Sequence, residues 1–382
     1  MLRIKSDKII TENGLFDGYL YVDNGTVKEL SANKLDADEV YDFTGKYVSP
    51  GFIDTHTHGA GGYSFYNSSA EDIAAACDYH LKRGMTTVCP TLSACPYSDI
   101  LFSLECFKQA KNNGLIRSNS PGMHIEGPYL SASQCGAQPP KHITPPVKEQ
   151  YEHIVKEYGS YVARWTYAPE NDEDGAFCRY ITSNGIIASA GHTEAKYPDM
   201  KTAIENGCNL VTHLYSCTST VTRDHGFRSL GVIESTFLRD ELTAEIICDG
   251  RHLPPDLIRM IIKIKGADNV ILTTDSLNMT GVDVKESNNG DTQYVIEDGV
   301  AKLPDRSAFA GSIATADVLI RTLTKDCGYS VPESVKMLTK NPAKLFGLNK
   351  GELKAGKDAD VVVFDGDINV SDVFVMGKRM DF

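Results

Sequence analysis

The sequence lacks any apolar run long enough to cross a membrane. None of its apolar segments approaches the roughly 20 residues that a bilayer requires. The N-terminal segment Met1–Ile10 also lacks the apolar core of a signal peptide. We therefore expect a cytoplasmic, soluble protein that does not associate with membranes.

Basic residues are scarce relative to acidic ones. The 382 residues include 38 Lys and Arg against 51 Asp and Glu, which gives a net charge of −13. Binding to nucleic acid depends on Lys and Arg that neutralise phosphates, so this balance argues against a nucleic-acid partner. A small anionic substrate stays compatible with it, because a local basic pocket can form on an acidic protein.

Paired cysteines are also lacking. The 10 cysteines are scattered singly and none forms a CxxC pair. In a long chain without a secretory leader, such cysteines are typical of reduced core residues rather than of disulfides or metal ligands.

Both ends of the chain have the pattern of short strands. Near the N-terminus we predict strands over Arg3–Ile10, Tyr19–Val22 and Thr26–Leu30, and near the C-terminus over Ala359–Phe364 and Val373–Met376. Neither end alone can bury much apolar area. We therefore predict a small β-sandwich domain built from residues 1–50 and 351–382.

Between these ends, strands and helices alternate. Short apolar runs are interspersed with helical stretches, such as Ala70–Arg83, Pro255–Ile264 and Pro332–Phe346. Repeated β-then-α units predict a parallel sheet covered by helices. Enough units occur over residues 51–350 to close an α/β barrel of the (β/α)8 type.

Polar side chains with metal-binding chemistry follow the predicted barrel strands directly. The residues in question are His56 and His58, Glu126, His192, His213, Asp249 with His252, and Asp275. Active sites of such barrels form where the strands end, at their carboxyl ends. The pattern therefore predicts a single site at that end of the barrel.

The predicted site offers nitrogen and oxygen ligands but no thiolate. His56 and His58 are two residues apart in an extended segment, so their side chains face the same side. Together with Glu126, His192, His213 and Asp275 they suit Zn²⁺, and also Fe²⁺, Mn²⁺ or Co²⁺. Asp275 can be a ligand, a general base that takes a proton from water, or both.

These segments resemble the amidohydrolase superfamily and, within it, the N-acetylglucosamine-6-phosphate deacetylases. The resemblance covers nearly the whole chain. The segments His124–Pro128 and Ser189–His192 are specific to the deacetylases, whereas His56–His58 and Gly356–Asp360 are shared by many amidohydrolases. Further matching segments are Thr212–Tyr215, Asp249–His252, Thr274–Asp275, Ala310–Ser312 and Asn341–Ala343.

The resemblance implies a role for each matching residue. Glu126, His192 and His213 would hold the principal metal, His56 and His58 a second one, and Asp275 would move the proton. This gives one or two divalent metals per subunit. The implied substrate is a small amino sugar phosphate, N-acetylglucosamine 6-phosphate, which loses its acetyl group. The substrate-binding residues would be Ala137, Gln138, Ser216, Cys217, Arg223, His252, Phe309, Ala310 and Gly311.

Three departures from the family pattern lie on the substrate side. The family's His-Leu-Tyr-Asn-Ala-Met reads His-Leu-Tyr-Ser-Cys-Thr at 213–218, its Gly-Ala-His reads Gly-Ala-Gln at 136–138, and its Arg-Glu-Pro-Gly reads Arg-Asp-His-Gly at 223–226. In the family that arginine reaches the phosphate bound in the neighbouring subunit. The resemblance therefore implies a homodimer, with Arg223 in this role and Arg228 and Arg251 as alternatives.

Three other functions remain as alternatives. One is deacetylation of the galacto epimer, N-acetylgalactosamine 6-phosphate. A second is hydrolysis of a cyclic amide, although enzymes of that kind bridge two metals with a carboxylated lysine, and Glu126 has no lysine immediately beside it. The third is a barrel without catalysis, which would generally have lost some of the six ligands present here.

Overall fold

The computed structural model describes residues 1–382, apart from the side chain of Asp224. The strands of the first part of the chain are β1 (Leu2–Thr11), β2 (Gly14–Asp23), β3 (Thr26–Ser31), β4 (Glu39–Asp42), β5 (Tyr47–Pro50), β6 (Phe52–Thr57), β7 (Gly59–Ala60), β8 (Tyr63–Ser64), β9 (Met85–Leu92), β10 (Met123–Glu126), β11 (Val162–Tyr167) and β12 (Ile187–Ala190). Those of the second part are β13 (Leu210–Val211), β14 (Thr222–Asp224), β15 (Phe227–Ser229), β16 (Thr243–Ile247), β17 (Val270–Thr273), β18 (Glu286–Asn289), β19 (Thr292–Glu297), β20 (Val300–Lys302), β21 (Phe309–Gly311), β22 (Val361–Phe364), β23 (Val370–Val375) and β24 (Lys378–Arg379).

The helices lie mostly between the strands of the middle region. They are α1 (Ala70–Lys82), α2 (Tyr97–Asn112), α3 (Lys148–Tyr158), α4 (Ala176–Ser183), α5 (Tyr197–Glu205), α6 (Val232–Leu238), α7 (Pro255–Lys265), α8 (Ala316–Arg321), α9 (Val331–Lys336) and α10 (Lys340–Leu345). None of the helices in the described part of the chain has the length and apolar character needed to cross a bilayer.

The two ends of the chain share one sheet, as predicted. Its order is β24-β23-β22-β5-β1-β2-β3, with β4 paired to β1. The C-terminal β22 runs antiparallel to β5, with Val361 opposite Pro50. A core of its own, which includes Ile4, Leu20, Val48 and Phe374, lies against this sheet.

The middle region forms the predicted barrel. Its eight strands follow the order β17-β16-β13-β12-β11-β10-β9-β6, and the neighbouring strands are parallel. The first and last strands of this order, β17 and β6, are joined where the chain leaves β17, because the backbone N–H of Asp275 donates to the carbonyl of His56 at 2.9 Å. The (β/α)8 fold expected from the alternation of strands and helices is confirmed.

Helix α1 illustrates how the sequence specifies the outer layer. The side chain of Ser69 caps its first turn by accepting from the backbone N–H of Asp72 at 3.1 Å. Ile73, Cys77 and Leu81 recur every four residues and are buried against the barrel. The chain leaves the helix at Gly84, whose φ of 91° suits a residue without a Cβ.

One predicted helix is divided in two. We predict a continuous helical stretch over Pro332–Phe346, but α9 ends at Lys336 and α10 begins at Lys340. Thr339 between them has a non-helical backbone, with φ −135° and ψ −79°. Pro342 explains the break, because proline lacks an N–H and clashes within an uninterrupted helix but is tolerated in a first turn.

Candidate metal centre and active site

All six predicted metal ligands lie together at the carboxyl ends of the barrel strands. His56 and His58 come from the end of β6, and Glu126 is the last residue of β10. The remaining three are each two residues beyond a strand, His192 after β12, His213 after β13 and Asp275 after β17. Every one of these side chains is buried.

Glu126 stands at the centre of the site and divides the histidines into two pairs. Its Oε1 lies 3.2 Å from Nε2 of His192 and 3.0 Å from Nε2 of His213. Its Oε2 lies 3.4 Å from Nε2 of His56 and 3.3 Å from Nε2 of His58. Each pair therefore forms, with Glu126, a group that can hold a metal ion.

Asp275 adds a second carboxylate to one of these groups. Its Oδ1 lies 3.4 Å from Nε2 of His56 and 3.2 Å from Nε2 of His58. It also borders the cavity above the site. Its carboxylate therefore lies between the His56 group and the cavity.

The far ring nitrogen of each histidine has a hydrogen-bonding partner of its own. Nδ1 of His192 lies 2.9 Å from the Gln134 carbonyl, and Nδ1 of His213 lies 3.1 Å from the Ser216 carbonyl. The corresponding Nδ1 partners are the Ser93 hydroxyl for His58, at 3.2 Å, and the Glu245 carboxylate for His56, at 3.0 Å. Histidines that bind metals are oriented in this way, with one nitrogen toward the metal and the other donating to an acceptor. The residues present therefore fit a divalent metal.

The backbone supports the same interpretation. His192, His213 and Asp275 have φ values of 47°, 29° and 47°, in the left-handed region that side chains other than glycine rarely adopt. Such conformations cost free energy and persist where the surrounding structure enforces them, often at functional sites. Here they turn three ligands inward immediately after their strands.

The electrostatics of the metal-free site are those of carboxylates surrounded by imidazoles. Burial alone would lower the pKa of His56, but the carboxylates of Glu126, Asp275 and Glu245 more than offset it and raise that pKa to about 10. Burial alone would raise the pKa of Glu126 and of Asp275, but the neighbouring histidines lower both pKa values. The negative charge of these carboxylates thus favours a cation between the histidines.

The site opens into a cavity of about 230 Å³. Most residues predicted to bind substrate line it, namely Ala137, Gln138, Ser216, Cys217, His252, Phe309, Ala310 and Gly311. The predicted Arg223 is not among its lining residues and is exposed on the β14–β15 hairpin. The alternatives Arg228 and Arg251 are exposed as well.

Gln138 connects the cavity wall to the metal ligands. Its amide nitrogen donates to Oε2 of Glu126 at 2.7 Å, and its amide oxygen accepts the backbone N–H of Ala94 at 2.7 Å. An amide NH2 has two donor hydrogens, so one remains beyond the contact with Glu126.

His252 also lines the cavity. Its Nδ1 lies 2.8 Å from Oδ2 of Asp249, and its ring meets the Phe309 ring edge-on at a centroid distance of 4.9 Å. Oδ1 of Asp249 also accepts the backbone N–H of His252. The carboxylate and the aromatic ring fix the imidazole so that it faces the cavity.

Part of the cavity wall was not predicted from the sequence. Ser93, Asn289, Thr292 and Tyr294 line the cavity, the last three from the β18–β19 hairpin that covers it. The hydroxyl of Thr292 donates to the Ala137 carbonyl at 2.9 Å and so joins this hairpin to the segment that carries Ala137 and Gln138. Nothing in the alternation of strands and helices indicates where such an inserted hairpin folds back.

The amidohydrolase family matches residues 47–380 of the chain. N-acetylglucosamine-6-phosphate deacetylase of Lysinibacillus sphaericus is 32% identical over 326 residues, which is 84% of this chain and 82% of the relative. The chain belongs to the N-acetylglucosamine-6-phosphate deacetylases of the amidohydrolase family. This confirms the resemblance seen in the sequence and makes the chain a hydrolase of amide bonds.

Other relatives agree over nearly the full length. The Caenorhabditis elegans deacetylase is 30% identical over 396 residues, covering 97% of this chain and 92% of the relative. Among solved structures, a mutant Mycobacterium smegmatis N-acetyl-D-glucosamine-6-phosphate deacetylase, in complex with N-acetyl-D-glucosamine-6-phosphate, superposes with a TM-score of 0.92 at 29% identity. The superposition covers 99% of this chain and 98% of that one. The domain formed from both termini therefore belongs to the shared architecture.

Proposed function

We propose that the chain hydrolyses N-acetylglucosamine 6-phosphate to glucosamine 6-phosphate and acetate. The observation that carries the proposal is the complete set of ligands around Glu126, at the base of a cavity in a chain of the deacetylase family. In our proposal Glu126, His192 and His213 would hold the principal metal, and His56 and His58, with Asp275, would hold a second one. We expect Zn²⁺, since imidazole and carboxylate ligands suit it.

A divalent metal at this site would lower the pKa of water and polarise the acetyl carbonyl. Asp275 takes the proton of the attacking water as the new bond to the carbonyl carbon forms. It then delivers that proton to the amine nitrogen as the C–N bond breaks, which releases acetate. The remaining N–H of Gln138 donates to the carbonyl oxygen as negative charge develops there.

The substrate-binding residues stay part of the proposal. His252, between Asp249 and Phe309, contacts the sugar phosphate, while Ser216 and Cys217 border its phosphate. Phe309, Ala310 and Gly311, which form β21, and Ala137 border the sugar.

Arg223 enters the proposal through a second subunit. Its exposed hairpin position suits an arm that reaches into the site of a partner in a homodimer. A cytoplasmic location and the domain limits 1–50, 51–350 and 351–382 likewise remain predictions.

Hydrolysis of a cyclic amide with a bridging lysine receives no support from the site. Among the described residues that line the cavity, none is a lysine. Each metal-binding group instead shares the carboxylate of Glu126.

The test is acetate release by the Zn²⁺-loaded protein from N-acetylglucosamine 6-phosphate, its galacto epimer and the unphosphorylated sugar. We expect a strong preference for the phosphorylated gluco sugar. Preference for the galacto epimer would correct the substrate, and no turnover on any of the three with metal bound would refute the proposal.

Asp275→Asn tests the mechanism in the same assay. Loss of a general base typically costs about 10²–10⁴-fold in rate, so we expect kcat to fall by that factor while the principal metal stays bound. The control is Asp172→Asn, which changes a carboxylate that caps α4 through the backbone N–H groups of Phe177 and Cys178 and should leave kcat unchanged. Full activity of Asp275→Asn would remove Asp275 from the mechanism.

A further inference from the structure

A buried ion pair lies inside the barrel beneath the metal ligands. Arg164 projects from β11 and Glu245 from β16, and both side chains are fully buried. The two Nη atoms of Arg164 contact both carboxylate oxygens of Glu245, with Nη2 lying 3.1 Å from Oε1. Arg164 is further held by the hydroxyls of Ser189 and Thr212, to which it donates at 3.0 and 2.8 Å.

Glu245 contacts both halves of the metal centre. Its Oε1 lies 3.0 Å from Nδ1 of His56, a ligand of one group. The same oxygen accepts the backbone N–H of His213, a ligand of the other group, at 3.2 Å. Since His213 has a strained φ of 29°, this hydrogen bond helps to hold a conformation that the backbone alone disfavours.

The contact with His56 decides which nitrogen of its ring carries the proton. Both Nη atoms of Arg164 contact the Glu245 carboxylate, and this bidentate ion pair keeps the carboxylate ionised. An ionised carboxylate only accepts hydrogen bonds, so Nδ1 must carry a hydrogen. When His56 binds a metal as a neutral imidazole, its lone pair is therefore on Nε2, the nitrogen that faces Glu126, His58 and Asp275.

The other three histidines lack such a partner. Their Nδ1 atoms contact neutral oxygens, the carbonyls of Gln134 and Ser216 and the hydroxyl of Ser93. A charged acceptor makes a stronger hydrogen bond and raises the basicity of the ring more than a neutral one does. The expected consequence is that His56 depends on its partner more than the other ligands do.

We propose that Glu245, aimed by Arg164, is a positioning residue that holds His56 in its Nε2-binding tautomer and ties the His56 half of the metal centre to the backbone of His213. The proposal rests on the metal centre of the proposed function. It assigns to the buried pair a role in metal binding that is separate from its contribution to packing.

The experiment compares two double variants that both remove the ion pair. Arg164→Met with Glu245→Gln keeps an oxygen that can accept the Nδ1–H of His56, whereas Arg164→Met with Glu245→Met removes the acceptor. Neither leaves one charge buried alone, which is what destabilises a protein when a single partner is removed. The control is Asp360→Asn, which breaks the buried pair with Lys350 (2.7 Å) at the opposite end of β6 but leaves Lys350 its second partner, Asp358, at 3.6 Å.

The readout is Zn²⁺ binding measured in competition with a chromophoric chelator, together with the visible spectrum of the Co²⁺ form. Wild type and Asp360→Asn should bind two equivalents with the same affinities. The Met–Met variant should bind the second equivalent about 10–100-fold more weakly, as expected for loss of a partner that orients a ligand, and should show an altered Co²⁺ spectrum. The Met–Gln variant should recover most of that loss.

If the Met–Met variant fails to fold, the proposal is tested instead with the Met–Gln variant and with ¹⁵N NMR spectra of the histidine rings. The Zn²⁺-loaded wild type and Met–Gln proteins should then both show His56 with a proton on Nδ1 and none on Nε2. Wild-type affinity and spectrum in the Met–Met variant, or a His56 without that proton in the wild type, would overturn the proposal. Because binding is measured without substrate, a wild type that binds metal but releases no acetate contradicts only the proposed function, and one that binds no metal overturns both.

Discussion

Gly136 and Cys217 face each other at the wall of the cavity, and the structure predicts that neither can change independently of the other. A Cβ placed on Gly136 would lie 2.5 Å from Sγ of Cys217, about 1 Å closer than ordinary van der Waals contact. The φ of Gly136 is 56°, in the left-handed region. Gly136→Ala therefore introduces both a clash and backbone strain.

The two costs can be separated. Placing a side chain in the left-handed region costs about 1–2 kcal/mol, and overpacking of a close-packed site costs about 1–3 kcal/mol. Gly136→Ala should therefore lower the free energy of unfolding by about 2–5 kcal/mol. In a Cys217→Ala background the clash disappears, so only the first cost remains and the coupling between the two changes is about 1–3 kcal/mol.

The assay is urea unfolding of the wild type, both single variants and the double variant, each with its metal. Cys217→Ala alone keeps the backbone φ of 51° at that position, so it adds no new strain. A coupling below about 0.5 kcal/mol, the range in which independent sites add, would contradict the predicted clash. Gly136→Ala should also weaken activity, because the added Cβ would lie 3.6 Å from the His192 ring and beside the loop that carries Gln138.

Two further predictions concern the metal-free protein and the layer behind Glu126. Because the pKa of His56 is raised in the metal-free fold, this histidine stabilises the fold fully below pH 6.5, its ordinary pKa, and the contribution is lost as the pH rises toward about 10. The pKa values of Glu126 and Asp275 are lowered, so these two carboxylates stabilise the fold at pH values above their ordinary pKa values. The Tm of metal-free protein should therefore fall between pH 6.5 and 10, and it should fall less in His56→Gln; a Tm that rises over this interval in the wild type would contradict the prediction. Trp165→Phe removes the donor to the buried Gly127 carbonyl (2.7 Å) and should cost about 2–3 kcal/mol in urea unfolding followed by circular dichroism; a loss below about 0.5 kcal/mol would contradict it.

Local patterns in the sequence predicted the barrel and its ligand set. Apolar runs that end in His, Glu or Asp mark strand ends, and in a parallel barrel all strand ends of one kind meet on one face. His56 and His58 needed only the two-residue period of a strand. Such features are encoded within a few residues of each side chain, which is why the sequence predicted that these six side chains lie at one end of the barrel.

The ion pair beneath the site was not found, although a signal for it exists. Arg164 and Glu245 are charged residues within the apolar strands β11 and β16, where a solitary charge is costly. That cost indicates a partner, but the two residues are 81 positions apart and only closure of the barrel brings them together. The β18–β19 hairpin over the cavity was not predicted either, because its position depends on a tertiary contact with Ala137.

The position of β22 has a consequence for the synthesis of the protein. The strand is completely buried between β5 and β23, so the sheet that β1 to β5 begin is completed by a strand that follows the whole barrel in the sequence. At about 5–20 residues per second, the edge of β5 stays unpaired for tens of seconds. A chain that ends early keeps this edge open, and an open edge is a template for aggregation. Pairing of β22 with β5 thus closes this edge only after the whole barrel has been synthesised.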